Sequence, residues 1–295
     1  MFSGTFTAIV TPFRRGLLDE EALGRLIEAQ VRGGVDGIVP VGTTGESPTL
    51  DCEEHIRVVE LSVRHAAGRI RVIAGTGGNS TREAIDLTRR AEAVGADATL
   101  QVAPYYNKPT QEGLFQHFKA VAGSTGLPVM LYSIPGRCGV EIAVDTVVRL
   151  AGACRNVVSL KEAGGSCDRI SLLKAALPDR FSLLSGDDSL TLPFMAVGAR
   201  GVVSVASNVA PRQVSAMVRR FLEGDARGAA RIHARLFPLF RNLFVETNPA
   251  PVKSALETLG FLRDGLRLPL VPVSAENRRL IRRTLRETGV LRGAR

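Results

Sequence analysis

Asn156-Val157-Val158-Ser159-Leu160-Lys161-Glu162-Ala163-Gly164-Gly165 is an apolar run closed by an ammonium and a pair of glycines. Read with the two-residue period of a strand, Ser159 and Lys161 share one face, and Val158 and Leu160 share the other. The apolar pair is then expected to bury against helices while the amine points inward. Two readings of Lys161 stand at this point. Burial of an unpaired charge would push the amine below its ordinary pKa of about 10.4, toward the neutral form that attacks carbonyls and forms Schiff bases. Alternatively, Lys161 pairs with a carboxylate such as Glu162, or lies on an exposed strand edge.

Working outward, the same unit recurs: a short β-rich run, a turn cluster, then helical periodicity. The runs are Thr5 to Pro12, Val35 to Gly42, Arg71 to Gly77, Asp97 to Tyr105, Pro128 to Pro135, Asn156 to Ala163, Phe181 to Asp188 and Gly201 to Asn208. Helix starts are legible in Ser80-Thr81-Arg82-Glu83, a capping box, and in the acid-loaded Asp51-Cys52-Glu53-Glu54. Glycines at Gly33-Gly34, Gly95, Gly126 and Gly198 mark returns from helix to strand. Eight such units with strands this apolar predict an α/β fold, a (β/α)8 TIM barrel, because a parallel sheet is buried on both faces. A doubly wound open sheet is the runner-up. It lacks a GxGxxG fingerprint after the first strand, and Gly75-Thr76-Gly77-Gly78-Asn79-Ser80 reads as a turn that caps a helix. Beyond Asn208 the pattern is helical only, around Pro211 to Leu222, Gly228 to Phe244, Pro251 to Thr258 and Ser274 to Thr288. The expected organisation is a barrel over residues 1–224 that carries the active site, with a helical C-terminal segment over 225–295 packed on it.

Composition removes several function classes. The net charge of +9 invites a nucleic-acid partner, but much of the excess sits in Arg278, Arg279, Arg282, Arg283, Arg286, Arg292 and Arg295. With no tryptophan, three tyrosines and no recognition-helix or zinc-finger pattern, this stretch reads as a solvated basic helix, and no nucleic-acid partner is expected. No apolar run reaches the roughly 18 residues of a membrane span, and Met1-Phe2-Ser3-Gly4 does not begin a signal peptide. The expectation is a soluble cytoplasmic protein without a membrane partner. Cys52, Cys138, Cys154 and Cys167 lack metal-ligand spacing, so reduced thiols and no metal are expected.

A barrel places its chemistry at the C-terminal ends of its strands, and unusual residues gather there. Gly42-Thr43-Thr44-Gly45-Glu46-Ser47 follows the second run, a glycine-flanked pair of hydroxyls suited to a carboxylate and too short for a Walker loop. Tyr105 and Tyr106 follow the fourth run, Tyr132 and Arg137 the fifth, Gly186-Asp187-Asp188 the seventh and Val203 lies in the eighth. A tyrosine beside a Schiff-base lysine can ferry the protons of carbinolamine formation and dehydration. Arg137 offers a planar fork for a second carboxylate, or is an exposed loop arginine. Asp187 and Asp188 read as helix caps.

As an ordered set these motifs resemble one family, the pyruvate-dependent class I aldolases related to dihydrodipicolinate synthase and N-acetylneuraminate lyase. The likeness runs from Phe2-Ser3-Gly4 through Val41 to Ser47, Pro104 to Asn107, Tyr132 to Arg137, Leu160 to Ala163 and Leu184 to Asp188, and on to Leu243 to Pro249. The resemblance implies a barrel with a helical extension, assembled as a homotetramer, a dimer of dimers. Lys161 would form the Schiff base with pyruvate, and Tyr132 would give and take protons in a relay with Thr43 and Tyr106. Tyr106 would meet the neighbouring subunit's site. Thr44 would hold the pyruvate carboxylate, with Val203 and Gly186 completing the substrate pocket. No metal or organic cofactor is implied.

Within the family, Arg137 stands two residues after the proline of the Tyr-x-x-Pro motif, where the synthase branch binds the carboxylate of aspartate semialdehyde. The implied reaction joins pyruvate to L-aspartate 4-semialdehyde and yields 4-hydroxy-tetrahydrodipicolinate and water. It is the entry to diaminopimelate and lysine biosynthesis. The alternatives are a sialic acid or keto-deoxy sugar acid aldolase, or a catalytically silent barrel that binds a ligand. Ser133, Cys138 and Gly164 depart from the usual synthase residues, the first two expected beside the aldehyde. Ser47, His55, Asn79, Glu83 and Tyr105 match a lysine effector site, with Cys52 in place of a histidine; His55 otherwise reads as a helix-surface residue.

Overall fold

The computed structural model describes residues 2–263 and 265–291. Arg292 and Arg295 of the basic C-terminus lie outside the described residues. Eight parallel strands close into a barrel. They are β1 Gly4–Ala8, β2 Gly37–Val39, β3 Arg71–Gly75, β4 Ala98–Val102, β5 Val129–Ser133, β6 Val157–Glu162, β7 Ser182–Ser185 and β8 Gly201–Ser204. Phe6 pairs with Gly37 on one side and Val203 on the other, which closes the ring through β1. Each apolar run of the sequence contains or overlaps one strand, so the (β/α)8 reading holds.

Helices longer than one turn follow the strands: α1 Glu20–Gly33, α2 Cys52–Ala66, α3 Thr81–Ala93, α4 Gln111–Ala122, α5 Val144–Ala153, α6 Cys167–Ala176, α7 Thr191–Ala196 and α8 Pro211–Leu222. Their starts are set by short polar side chains that accept otherwise orphaned N–H groups. The Asp51 carboxylate accepts from Glu54 N at 2.8 Å and the Ser80 hydroxyl from Glu83 N at 3.4 Å. α1 ends in Gly34 at φ 72°, a left-handed cap that returns the chain toward β2. The remaining helices are α9 Ala226–Asn242, α10 Ala250–Thr258 and α11 Ala275–Glu287. α9 packs on α8, α11 packs on both α9 and α10, and α10 reaches the 3-10 turn Ala206–Asn208 that follows β8. Among the described residues no helix is long and apolar enough to cross a membrane.

Two features depart from the sequence reading. A hairpin, Phe13–Arg14 against Leu17–Leu18, follows β1, turning on Arg15 and Gly16 at φ 55° and 80°. Two successive positive φ values make the turn that matches strand twist, for which glycine is suited. The second departure lies in β6. Val129 pairs with Val157 but Met130 with Ser159, so Val158 is an extra residue in that strand. This bulge breaks the two-residue alternation, and Val158 packs against the barrel interior instead of sharing the helix-facing side with Leu160. After the bulge the alternation resumes, with Leu160 among the helices and Lys161 turned inward beside Tyr132.

Phe2, Phe6, Ile73, Leu100, Met130 and Val203 fill the barrel interior. Phe2 and Phe6 meet edge to face at 5.8 Å. Interior apolar volume is thus spent at the closed end, and polar side chains converge at the strands' C-terminal ends, as barrel geometry requires.

Candidate active site

Register brings the lysine and one tyrosine together. Tyr132 of β5 pairs with Lys161 of β6, and both side chains point inward. Lys161 Nζ stands 4.0 Å from the centroid of the Tyr132 ring. Lys161 is 6% exposed. Desolvation lowers its pKa to about 7, the Asp188 carboxylate opposing the shift and Arg137 adding to it. Among the described residues no carboxylate lies within ion-pair distance of Nζ, so the salt-bridge reading of Lys161 is set aside. Glu162 is engaged elsewhere: it is fully buried, its Oε2 accepts from Arg169 Nε at 2.9 Å, and its Oε1 accepts from Gly164 N at 2.6 Å. An amine with a pKa near 7 is substantially neutral at physiological pH and is a competent nucleophile.

Tyr132 is 4% exposed, and burial raises its pKa, opposed by Arg137 and by a hydrogen bond with the Thr43 side chain. The phenol is therefore protonated at neutral pH, able to donate to a developing oxyanion. Gly186 lies directly against the lysine stem. A Cβ there would meet Ala163 Cβ at 2.7 Å and Lys161 Cε at 3.1 Å, so the absence of a side chain gives the lysine its path.

A cavity of about 200 Å³ opens at this end of the barrel, lined by Thr43, Tyr132, Arg137, Cys138, Ser47 and Tyr105 among others. Thr43 and Tyr132 thus connect the Lys161 environment to the cavity. Lys161, Thr44, Gly186 and Val203 do not line it themselves; Lys161, Thr44 and Val203 are buried, Gly186 is half-buried, and Val203 packs in the same interior cluster as Tyr132. Arg137 sits on the one-turn helix Pro135–Cys138, exposed to solvent on one side and facing the cavity on the other. Cys138 lines the same wall, with burial holding its thiol up at about 11. Ser133, expected beside the aldehyde, is not among the residues that line this cavity. The alternation that turns Tyr132 inward turns Ser133 outward, where its hydroxyl accepts from Ile142 N at 3.4 Å. Tyr106 is 90% exposed and does not line the cavity of its own chain.

The aspartates also differ from their expected role. Neither side chain caps α7, whose N-cap is Leu190 without a side-chain bond. Asp187 Oδ1 accepts from Ser189 N and Oγ, both at 2.8 Å. Asp188 is buried and accepts from Ser204 Oγ at 2.5 Å, Val205 N at 3.0 Å and Ala206 N at 2.9 Å. It ties the loop after β7 to the turn after β8. Burial raises its pKa to about 6 against those donors.

Sequence reading missed two buried ties beside the site. Asn248 Nδ2 donates to Thr44 Oγ1 at 2.9 Å. Lys253 of α10 forms an ion pair with Glu46, both side chains fully buried, and donates from Nζ to Gly265 O at 2.7 Å. The local signals were Glu46, an acid inside a glycine loop, and the family-like stretch ending at Asn248-Pro249, and neither names its partner.

A second cavity, of about 180 Å³, is lined by Ser47, His55, Glu83 and Tyr105, with Cys52 also on its wall. Asn79 stands beside it and donates from Nδ2 to Tyr105 O at 3.2 Å. His55 is not a helix-surface residue. It is 4% exposed, and its Nε2 must carry the proton, since it lies 2.9 Å from the Gly75 carbonyl oxygen, which can only accept. Burial lowers its pKa to about 4, so it is neutral. Ser47, Pro48, Gly77 and Tyr105 line both cavities.

A 4-hydroxy-tetrahydrodipicolinate synthase of Aquifex aeolicus (strain VF5) is 55% identical over 287 residues, 97% of this chain and 98% of that protein. The structure of the 4-hydroxy-tetrahydrodipicolinate synthase from the thermoacidophilic methanotroph Methylacidiphilum fumariolicum SolV superposes with a TM-score of 0.97 at 57% identity, covering 98% of this chain and 96% of that one. The enzyme from Cyanidioschyzon merolae, solved with lysine bound, gives a TM-score of 0.96 at 42% identity, with 98% and 99% covered. Residues 1–288 match the model of the dihydrodipicolinate synthetase family, and the chain belongs to that family.

Proposed function

We propose that this chain is a lyase that condenses pyruvate with L-aspartate 4-semialdehyde through a Schiff base, giving 4-hydroxy-tetrahydrodipicolinate and water in lysine and diaminopimelate biosynthesis. The observation that carries the reading is Lys161, buried beneath the Tyr132 ring with its pKa lowered to about 7. The neutral amine adds to C2 of pyruvate, Tyr132 donates to the carbinolamine oxygen, and water leaves to give the iminium. Loss of a proton from C3 gives the enamine, whose carbon attacks the aldehyde. Hydrolysis of the imine takes up a water and returns Lys161, and the amino group of the semialdehyde then closes the ring onto the freed ketone with loss of water, the net water of the reaction.

Thr43 hydrogen-bonds Tyr132 and supports its relay role. Tyr106, exposed on its own subunit, suits a third relay position supplied across a dimer contact, and we assign the working form as a homotetramer, a dimer of dimers. Thr44, Val203 and Gly186 form the pyruvate pocket, while Arg137, whose guanidinium reaches the cavity wall, takes the carboxylate of the semialdehyde. The barrel carries the chemistry, and the segment after residue 224 supports it through Asn248 and Lys253. Four free thiols suit a reducing, cytoplasmic compartment.

The second cavity supports a regulatory reading. Glu83 offers a carboxylate to an ammonium, with Ser47, His55, Asn79 and Tyr105 around it, and we assign it to lysine as a feedback effector. Titration with lysine should show binding that Glu83→Gln abolishes; unchanged binding in the variant would remove the assignment.

Turnover decides the second substrate. With pyruvate present, the protein should consume aspartate semialdehyde, and Arg137→Ala should raise KM for the aldehyde by about tenfold or more with pyruvate KM little changed. Cleavage of a keto-deoxy sugar acid without turnover of aspartate semialdehyde would reject the assignment.

A further inference from the structure

Thr44 is buried, 4% exposed, and its hydroxyl has one hydrogen-bond partner among the described residues, the amide of Asn248. A hydroxyl carries one proton and two lone pairs. Asn248 Nδ2 donates into a lone pair at 2.9 Å, so the Thr44 proton is left to point elsewhere. Asn248 is itself 5% exposed, and its Oδ1 has no hydrogen-bond partner among the described residues. The contact that this amide makes within the protein is therefore the one to Thr44. Its backbone carbonyl accepts from Arg137 Nη2 at 3.4 Å, so one residue touches both arms assigned above to substrate carboxylates.

The placement of Asn248 is fixed independently of that hydrogen bond. Five residues along, the buried Lys253–Glu46 ion pair fastens the same segment to the same hydroxyl loop. Arg267 N donates to Glu46 Oε2 at 3.2 Å, and the Arg267 guanidinium grips Glu54 of α2 at 2.7 Å. The loop 42–46 is thus anchored at Thr44 and at Glu46 to a stretch 204 residues away from Thr44 in sequence.

We propose that Asn248 is a positioning residue that sets the polarity of the Thr44 hydroxyl, filling its lone pair so that its proton is presented to the carboxylate of the 2-oxo acid. This rests on the assignment of Thr44 to the pyruvate carboxylate. An aspartate at 248 would reverse the polarity, accepting the Thr44 proton and withdrawing it from the substrate. An alanine would only release the hydroxyl to rotate.

The test is the pyruvate concentration that half-saturates borohydride trapping of the full-length protein, a readout independent of the second substrate. Asn248→Asp should raise it about tenfold or more and Asn248→Ala about threefold, with the trapping rate at saturation little changed. Both effects should vanish when Thr44→Val removes the hydroxyl. A purely structural role gives the reverse order, because Asp preserves the side-chain volume and Ala leaves a cavity. Ala equal to or worse than Asp, or either effect persisting beside Thr44→Val, would overturn the proposal. Should the Asp variant not fold, the Ala variant with and without Thr44→Val decides alone. Failure of the unsubstituted protein to trap pyruvate is a separate outcome, which overturns the Schiff-base reading together with this one.

Discussion

At the residue scale, Lys161 exchanges stability for reactivity. Its folded pKa of about 7 lies below the ordinary 10.5, so unfolding takes up a proton between those values. The cost of burying the ammonium is therefore full below about pH 7 and fades as the pH rises toward the ordinary value. Lys161→Met should stabilise the protein by roughly 2–3 kcal/mol more at about pH 6.5 than at about pH 9. Urea unfolding at the two pH values measures this. A gain that is equal at both, or a loss at the lower one, would contradict the pKa argument. That Lys161 turns inward was legible from strand alternation, because the count from Leu160 to Lys161 crosses no irregularity. Val158 was not, since the bulge depends on a partner strand that local sequence does not name. His55 was legible in part: it shares a buried helical face with Val58, Val59 and Ser62, a three- and four-residue spacing.

At the scale of elements, the end of β6 is clipped by one arginine. Arg169 of α6 bonds Glu162 Oε2 through Nε, reaches Ile142 O from Nη2 at 2.5 Å and lies 3.3 Å from Glu141 through Nη1. It joins the strand that carries Lys161 to the segment that follows the Arg137 turn. Gly164 belongs to the same clip, since a Cβ there would meet Glu162 Oε1 at 2.6 Å. The departure from threonine at this position therefore bears on how the Glu162 carboxylate folds back onto the Gly164 N–H. Removing the guanidinium leaves a buried carboxylate without its cation, which burial already pushes toward protonation. Arg169→Met is expected to cost about 3–5 kcal/mol in chemical unfolding. A loss below about 1 kcal/mol would mean that Glu162 is neutral or finds other donors. A helix was expected after the sixth run, but local sequence does not show which of its residues faces a buried acid, because the partner lies on a different element.

For the whole molecule, eight strands were legible because each barrel strand lies in a short β-rich run, largely buried, that is followed by its own helix. Of the residues proposed for the site, those that sequence could place, Lys161, Tyr132, Thr43, Arg137 and Gly186, lie at or just beyond strand ends. What sequence could not show were the ties from the C-terminal segment, Asn248 to Thr44 and Lys253 to Glu46, since pairs so distant along the chain leave no local pattern. Those ties make the segment beyond the barrel a participant in the site. The chemistry they support comes down to one covalent event, at Lys161. Borohydride reduction with pyruvate, followed by intact mass and peptide mapping, tests it most directly. A single carboxyethyl group is expected on Lys161, absent when pyruvate is omitted and absent in Lys161→Ala. No mass gain, or the same gain in Lys161→Ala, would contradict it.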